Sequence, residues 1–435
     1  MSGQGTASVR ETAAVLAGVV GPTVAGGVIK RRPRVMSALE TAGADASAVR
    51  TMQRLRARHG DGLLRLAVPV RSFALVLSPD DVGRVLAQSP EPFTPATREK
   101  KSALSQFQPH GVLISDGPQR QRRRAWNERV LEAYAPTHHV APSVTATVAE
   151  EFAALGPGPL NWEAFAPVWW RAVRRVVFGD HARDDHLTTD LLGRLRSSGN
   201  WAYLLPRRRA VREEFLGRVR SLLARAPGDS LAGGLDGSNT DDPDDPDDGT
   251  VPSQIAHWLF AFDAAGMVTF RTLALLATHP AQRQQARQDI ASGDGLGYLR
   301  ACVLDTVRLW PTTPAILRDT TSELDWNGRR LPAGTGLLIF TPLFHRDDSR
   351  LPYAHSFVPE IWLDGRAQRE PALVPFSAGP GECPARNLVL FTTATVLAHL
   401  IRDRDHTVES APAPRPGRPL PMTFDNFSLR LTAHP

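Results

Sequence analysis

The sequence predicts a mainly α chain of α+β type, helix-rich, with small β-sheets at the edge of a single domain. Three observations predict it. An apolar stretch at helical spacing runs from about Ser253 to Thr278, long for a globular helix. Helical patterning also fills Asp116 to Arg225, Leu299 to Trp310 and Arg386 to Arg402. The β-branched runs are short and set apart from these helices, which is the arrangement of α+β proteins.

Each element has its own signal. Leu64 to Pro69 and Ser72 to Ser78 alternate apolar with polar and are expected to pair as a hairpin, and Pro79-Asp-Asp opens a short helix. The helical region from Asp116 to Arg225 is broken at Gly156–Pro159 and around Leu205–Pro206. Pro311 stops the helix that ends at Trp310. Strands follow at Ala315 to Thr320 and Leu337 to Thr341, with a turn at Asn327-Gly328 between them. A Gly/Pro loop, SAGPGECP, leads into the last helix, and a β tail ends the chain. Nothing between these segments reads as an interdomain linker. Residues 60–435 are therefore expected to form one domain behind an N-terminal helical arm, residues 1–59.

The chain has 435 residues, 42% hydrophobic and 22% charged, enough apolar content for a sizeable core. Two cysteines, Cys302 and Cys383, are too few for a secreted disulfide scaffold and favour a reducing, cytoplasmic setting. The net charge of +6 hides an asymmetry. Residues 236–249 carry seven aspartates and no base, so the rest of the chain stands at +13. That acidic run is expected to be a solvated flexible loop. The bases are nearly all Arg and lack interleaved aromatics, so a nucleic-acid partner is not expected, whereas an acidic protein partner is. Residues 12–29 are apolar and precede KRRPR, but they are rich in Ala, Val and Gly and contain Pro22. They read as an arm and not as a membrane anchor or signal sequence, so no membrane is expected.

The chemistry-bearing motif is Phe376-Ser-Ala-Gly379-Pro-Gly-Glu-Cys383-Pro-Ala385. A glycine-rich loop turns backbone N–H groups toward a thiolate, and the helix that follows presents its positive end. Phe376 can shield the sulfur and Gly379 can bend the loop. Taken alone, Cys383 reads equally as a small buried hydrophobe in a proline-rich turn.

The wider context decides between those readings. The segment resembles the cytochrome P450 signature Phe-x-x-Gly-x-x-x-Cys-x-Gly/Ala, and other segments follow in the family's order. Asp305-Thr-Val-Arg308 stands where the family has Glu-x-x-Arg. Ala315-Ile-Leu-Arg318 resembles the strand bearing a propionate-binding Arg. Leu331-Pro-Ala-Gly-Thr335, His345-Arg346-Asp347 and Phe357-Val-Pro-Glu360 resemble the stretches that lead to the cysteine loop. Asp116-Gly-Pro-Gln-Arg120-Gln-Arg-Arg-Arg124 is similar to the helix that contacts the haem carboxylates, and VRRVVFGD at Val173 to Asp180 is similar to bacterial members. The resemblance covers roughly residues 60 to 430. It implies the P450 fold, b-type haem iron ligated by Cys383, and haem contacts from Phe376, Gly379, Arg318, Arg124 and Arg120. For the two arginines of the 116–124 segment, a solvated basic helix face is the plain alternative.

Several positions depart from the family. Gly381 stands where a propionate-pairing Arg or His is usual, and Ile361 where an Arg usually joins the acid–base pair. Asp305 is one methylene shorter than the usual Glu, and with Arg308 it is expected to be structural, as is Cys302. On the long helix, Ala265-Gly266-Met-Val-Thr269 carries the alcohol of the oxygen site but Val268 in place of its proton-relaying acid. Phe262, Ala265, Gly266 and Thr269 fall on one helix face, while Asp263 lies about 120° from Thr269. The plain reading of Thr269 is a helix threonine bonded to its i−4 carbonyl.

The expected function is haem-thiolate monooxygenation of a small, largely apolar molecule in secondary metabolism, with electrons from an acidic ferredoxin or flavin reductase. The alternatives are peroxide-driven or radical-coupling chemistry on the same haem, and a degenerate fold that serves as a binding or recruitment module. Candidate pocket walls are Phe262, Thr313 and Ala315 within 312–316, Trp201 and Tyr203 in the 196–206 turn, and the segment 93–114. Arg122, Arg123 and Arg386 are expected on the reductase-docking face.

Overall fold

In the computed structural model, which describes residues 5–69, 71–233, 235, 250–328, 330–411 and 413–435, the first helix starts on a capping box. Ser8 Oγ accepts from the Glu11 N–H, and the Glu11 carboxylate accepts from the Ser8 N–H. Helix Val9–Val15 runs into a π-helical turn, Leu16–Val20, and a short helix, Gly21–Ala25. Val15 and Val19 are buried in a core that also holds Leu75, Val76, Leu337 and Ile339. The acidic run at 236–249 lies outside the described residues.

The chain forms two compact units, each assembled from distant stretches. The first contains residues 1–97, 304–383 and 417–425, and the second contains residues 98–303, 384–416 and 426–435. The strands, in chain order, are β1 (Leu63–Arg65), β2 (Phe73–Val76), β3 (Phe93–Thr94), β4 (Gly158–Asn161) and β5 (Ala315–Thr320). They continue with β6 (Leu324–Asp325), β7 (Arg330–Leu331), β8 (Gly336–Phe340), β9 (Asp405–Val408) and β10 (Arg430–His434).

The first unit is built on a five-stranded sheet of order β1-β2-β8-β5-β3. β1 and β2 form the expected antiparallel pair, β2 pairs with β8 in parallel, and β8 pairs with β5 antiparallel, with Arg318 opposite Leu337. β6 and β7 are joined by a turn in which Asn327 and Gly328 both take positive φ, 56° and 78°. Positive φ is a conformation that Gly adopts freely and Asn tolerates better than most residues. Ser78 caps the helix Pro79–Ala87, its Oγ accepting from the Asp81 N–H at 3.4 Å.

The second unit surrounds the helix Thr250–Thr278. By length and composition it could cross a membrane, but 78% of its most apolar window is buried inside the protein, as in a core helix. Phe270 on this helix packs on Phe165 at 5.1 Å, and Phe165 also meets Trp162 and Trp169. The break expected at Gly156–Pro159 contains a strand: β4 pairs with β10, which also pairs with β9. In VRRVVFGD, Arg175 binds Asp180 at 2.6 Å and the buried Glu151 at 3.0 Å, so this motif braces helix ends.

Candidate functional site

The candidate residues divide between the units. Cys383, Phe376, Gly379, Arg318, Thr313, Ala315, Asp305 and Arg308 belong to the first. Thr269, Gly266, Ala265, Phe262, Arg124, Arg120 and Trp201 belong to the second.

In the first unit the loop before Cys383 is folded by its own backbone. Ser377 and Gly379 take positive φ, 64° and 63°. The Glu382 N–H donates to the Gly379 carbonyl and the Cys383 N–H to the Phe376 carbonyl, both at 2.9 Å. The last bond returns the chain to Phe376 and so brings the residue seven before the cysteine back beside it. A Cβ at 379 would lie 2.5 Å from the Leu86 carbonyl oxygen, so glycine is required twice over. Cys383 is half-buried and in no disulfide, and the helix Arg386–Ile401 begins three residues later.

Arg318 is 3% exposed. It donates to Ser89 Oγ at 2.9 Å, the Leu317 carbonyl at 3.0 Å and Ser377 Oγ at 3.5 Å, so this strand arginine is tied to the cysteine loop. Ala315, three residues before it on β5, is half-buried, and Thr313 is exposed.

The same unit contains a fully buried ion pair. Arg308 Nε meets Asp305 Oδ1 at 2.6 Å, with neither side chain exposed. Such a pair is stable only when its remaining polar atoms are answered. Arg308 donates to the carbonyls of His345, Ala354 and Ser356, and Asp305 accepts from the Val358 N–H at 2.8 Å and Trp362 Nε1 at 3.2 Å. Trp362 thus supplies the donor that Ile361 cannot. The sequence offered no sign of it beyond an aromatic beside that position. His345 Nε2 accepts from the Val374 N–H at 3.1 Å, two residues before Phe376. Burial, with Arg308 second, pushes His345 down to about 3, so its ring is neutral.

In the second unit Phe262, Ala265, Gly266 and Thr269 are all buried. Thr269 Oγ1 donates to the Ala265 carbonyl at 2.8 Å, the ordinary helix bond, which leaves the oxygen able to accept. Val268 is 3% exposed. Asp263 is held by Arg196 at 2.7 Å. Trp169, which the sequence reading missed, explains Gly266. Its Nε1 donates to the Phe262 carbonyl at 3.0 Å, and a Cβ at 266 would stand 2.9 Å from that nitrogen.

On the helix Gly117–Val130, Arg120, Arg123 and Asn127 point inward at i, i+3 and i+7 spacing. Arg120 donates to the Val112 carbonyl at 3.1 Å, and burial, with Arg124 second, pushes it down to about 10. Arg124 binds Glu128 at 2.7 Å. Arg123, expected on a docking face, is 7% exposed and donates to Ser115 Oγ at 2.7 Å, because it lies on the inward stripe. Arg122 is exposed and Arg386 half-buried. Trp201 and Tyr203 stand 46% and 68% exposed in their turn. Phe93 is fully buried in the first unit's core against Trp326, at 5.5 Å. Cys302 is buried. Glu132, His138 and His139 cluster, but both ring nitrogens of His138 are engaged, with the Val130 carbonyl and the Val140 N–H.

The family model described as "Cytochrome P450" matches residues 248–423. That range includes Thr269, Asp305, Arg308, Arg318 and Cys383. Among curated proteins, cyclooctat-9-en-7-ol 5-monooxygenase of Streptomyces melanosporofaciens is 32% identical over 169 residues, 35% of this chain and 36% of the relative. Cytochrome P450 4c3 of Drosophila melanogaster is 30% identical over 147 residues, 30% and 28% of the two chains. Dimethylnonatriene synthase of Arabidopsis thaliana is 30% identical over 187 residues, 38% and 36% of the two chains. The matches span about a third of the length of these curated relatives.

Proposed function

The chain belongs to the cytochrome P450 family through residues 248–423, and from that premise we propose that it is a monooxygenase acting on a small, largely apolar organic molecule. The family implies a haem-iron cofactor and an external electron donor, and the residues present fit such a cofactor. Cys383 offers a half-buried thiol at the end of a loop that only glycine at 379 permits. Arg318 is a buried guanidinium that donates to Ser89 Oγ and the Leu317 carbonyl, and Arg120 is desolvated beside Arg124, which is itself paired with Glu128. Those are the settings in which an anionic carboxylate is favourable. Bound through a thiolate, haem iron supplies the activation of dioxygen, because sulfur pushes electron density toward the metal.

The protein's own part is then positional. Cys383 would hold the iron, Arg318, Arg120 and Arg124 would meet the haem carboxylates, and Phe376 would shield the sulfur. Thr269 offers a hydrogen-bonding oxygen to dioxygen, and the apolar face of Phe262 and Ala265 excludes water. Proton delivery cannot use Val268, and Asp263 is committed to Arg196. A hydroxyl, amine or carboxyl of the substrate, or ordered water at Thr269, would take that role. One relative is named for oxidising an alcohol, cyclooctat-9-en-7-ol, which supports a hydrocarbon-rich substrate and a place in secondary metabolism. We place the enzyme in the cytoplasm with an acidic ferredoxin or flavin reductase. The net charge of +6 and the exposed Arg122 support that partner through electrostatic steering.

The observation that carries this reading is the cysteine loop closed by the Cys383-to-Phe376 bond. The purified ferrous protein should give the red-shifted carbon monoxide band of thiolate ligation, and Cys383→Ser should lose it. A histidine-type spectrum in the wild type overturns the reading. The buried Val268 favours a second reading, peroxide-driven or radical-coupling chemistry. Turnover with dioxygen and reductase, set against peroxide alone, separates the two. Absence of turnover with either identifies a binding module.

A further inference from the structure

The second unit contains polar side-chain atoms shut off from solvent that the protein leaves unanswered. Among the described residues, Nδ1 of His257, Oε1 of Gln106 and both amide atoms of Gln108 are buried without a hydrogen-bond partner. Gln106 is 2% exposed and Gln108 fully buried. Two aromatic contacts link them. Phe107, between the two glutamines, packs on Phe260 at 5.7 Å, and Phe260 packs on His257 at 6.0 Å. Gly111 makes room for the Gln108 amide, since a Cβ there would lie 2.3 Å from its Oε1. Buried polar atoms are nearly always paired, and those that are not call for a ligand or water.

The charge of this region is settled by its neighbours. Arg196 lies 5.1 Å over the Phe260 ring and is balanced by Asp263. Burial, with Lys100 second, pushes His257 down to about 4, so the ring is neutral at pH 7. These unanswered atoms are all on neutral side chains and include both donors and acceptors, which suits a neutral hydroxyl or carbonyl group, and because Lys100 acts on His257 a carboxylate is kept as a separate arm of the test.

We propose that His257, Gln106 and Gln108 form a subsite for a neutral hydroxyl or carbonyl group of the substrate, at the end remote from the carbon that is oxidised. This rests on the monooxygenase reading, in which Thr269 marks the reacting end. His257 precedes Thr269 by twelve residues, about 18 Å along the helix axis, so the substrate is elongated and carries its polar group at one end.

Dodecane, 1-dodecanol and dodecanoate test this in the haem-loaded protein, with ligand-induced shifts in melting temperature as the readout. 1-Dodecanol should bind about ten-fold tighter than dodecane, because a site built for a hydrogen bond rejects the analogue lacking it, and tighter than dodecanoate. His257→Leu and Gln108→Leu should erase that preference while leaving dodecane binding unchanged. Without ligand, each variant should melt at or above the wild-type temperature, since it removes an unanswered polar group. Equal binding of alcohol and alkane by the wild type overturns the subsite, as does tighter binding of the carboxylate. A drop of several degrees in both unliganded variants does so too, since it assigns these atoms to structural water. The carbon monoxide band is read separately on the same samples, so loss of the haem reading is told apart from loss of the subsite.

Discussion

Arg318 occupies the space that a side chain at residue 381 would need: a Cβ there would stand 2.9 Å from its Nη2. Glycine thus stands where the family that the chain resembles usually has a base, and in the proposed site the cation would come from Arg318 of β5. Gly381→Arg should therefore lower haem retention several-fold, while Gly381→Ala, which only nudges the flexible end of Arg318, should change little. Arg318→Gln should also lose haem, and Gly381→Arg combined with Arg318→Gln should recover part of it. The haem-to-protein absorbance ratio after gel filtration reads all four. A double variant no better than Arg318→Gln alone rejects the exchange.

Trp362 anchors the buried carboxylate that anchors Arg308. Trp362→Phe removes a hydrogen bond to a charged group and should cost about 1.5–3 kcal/mol, whereas Arg308→Leu strands Asp305 and should cost about 3–5 kcal/mol. Urea denaturation of the haem-loaded protein measures both. An unaltered midpoint in Trp362→Phe would show that the Val358 N–H suffices.

His345 makes stability depend on pH. Its folded value, about 3, lies below the unfolded value of about 6.5. The unfolded chain thus takes up the proton first, and the contribution is full above that unfolded value. It is lost as the pH falls toward the folded one, at up to about 1.4 kcal/mol per pH unit. His345→Gln should flatten the dependence of the urea midpoint between pH 7 and 5, and equal dependence in both proteins would exclude His345 as a contributor.

Val268 tests the proton route. With substrates that carry no exchangeable proton, the wild type should release reducing equivalents as peroxide. Val268→Asp should restore coupling, and Thr269→Ala should lower it with every substrate. General acid–base help is worth about 10²–10⁴-fold, so the change in the ratio of product to reductant consumed is large enough to measure. Tight coupling of the wild type to pure hydrocarbons would rule out substrate assistance.

Elements specified by local chemistry were legible in the sequence. The strand Ala315–Thr320 and the Asn327-Gly328 turn stand where β-branching and positive-φ demands placed them. β4 was not legible, because Gly158–Asn161 is a strand only through pairing with Arg430–Ala433. The Asp305–Arg308 pair was readable from i, i+3 spacing, but Trp362 was not, since it reaches Asp305 across fifty-seven positions. Gly266 was placed on the Thr269 face by helix periodicity, but that its missing side chain makes room for Trp169 is visible only in three dimensions. Arg123 went the other way. Four arginines within 120–124 look like one surface until the helix turns Arg120 and Arg123, three apart, inward.

The parallel pairing of β2 with β8 joins Phe73 to Gly336 and Leu75 to Leu338, and it sets an order of events during synthesis. The first ninety-seven residues emerge from the ribosome long before the strand that completes their sheet. At about 5–20 residues per second, that interval is tens of seconds. Throughout it the edge of β2 is an open template and the apolar faces of the N-terminal helices have no core to enter. The second unit can begin assembling around its central helix meanwhile. Yield of the intact protein should then depend on chaperone supply and growth temperature more than on the stability of the finished fold, and slowing translation after residue 97 should lower it.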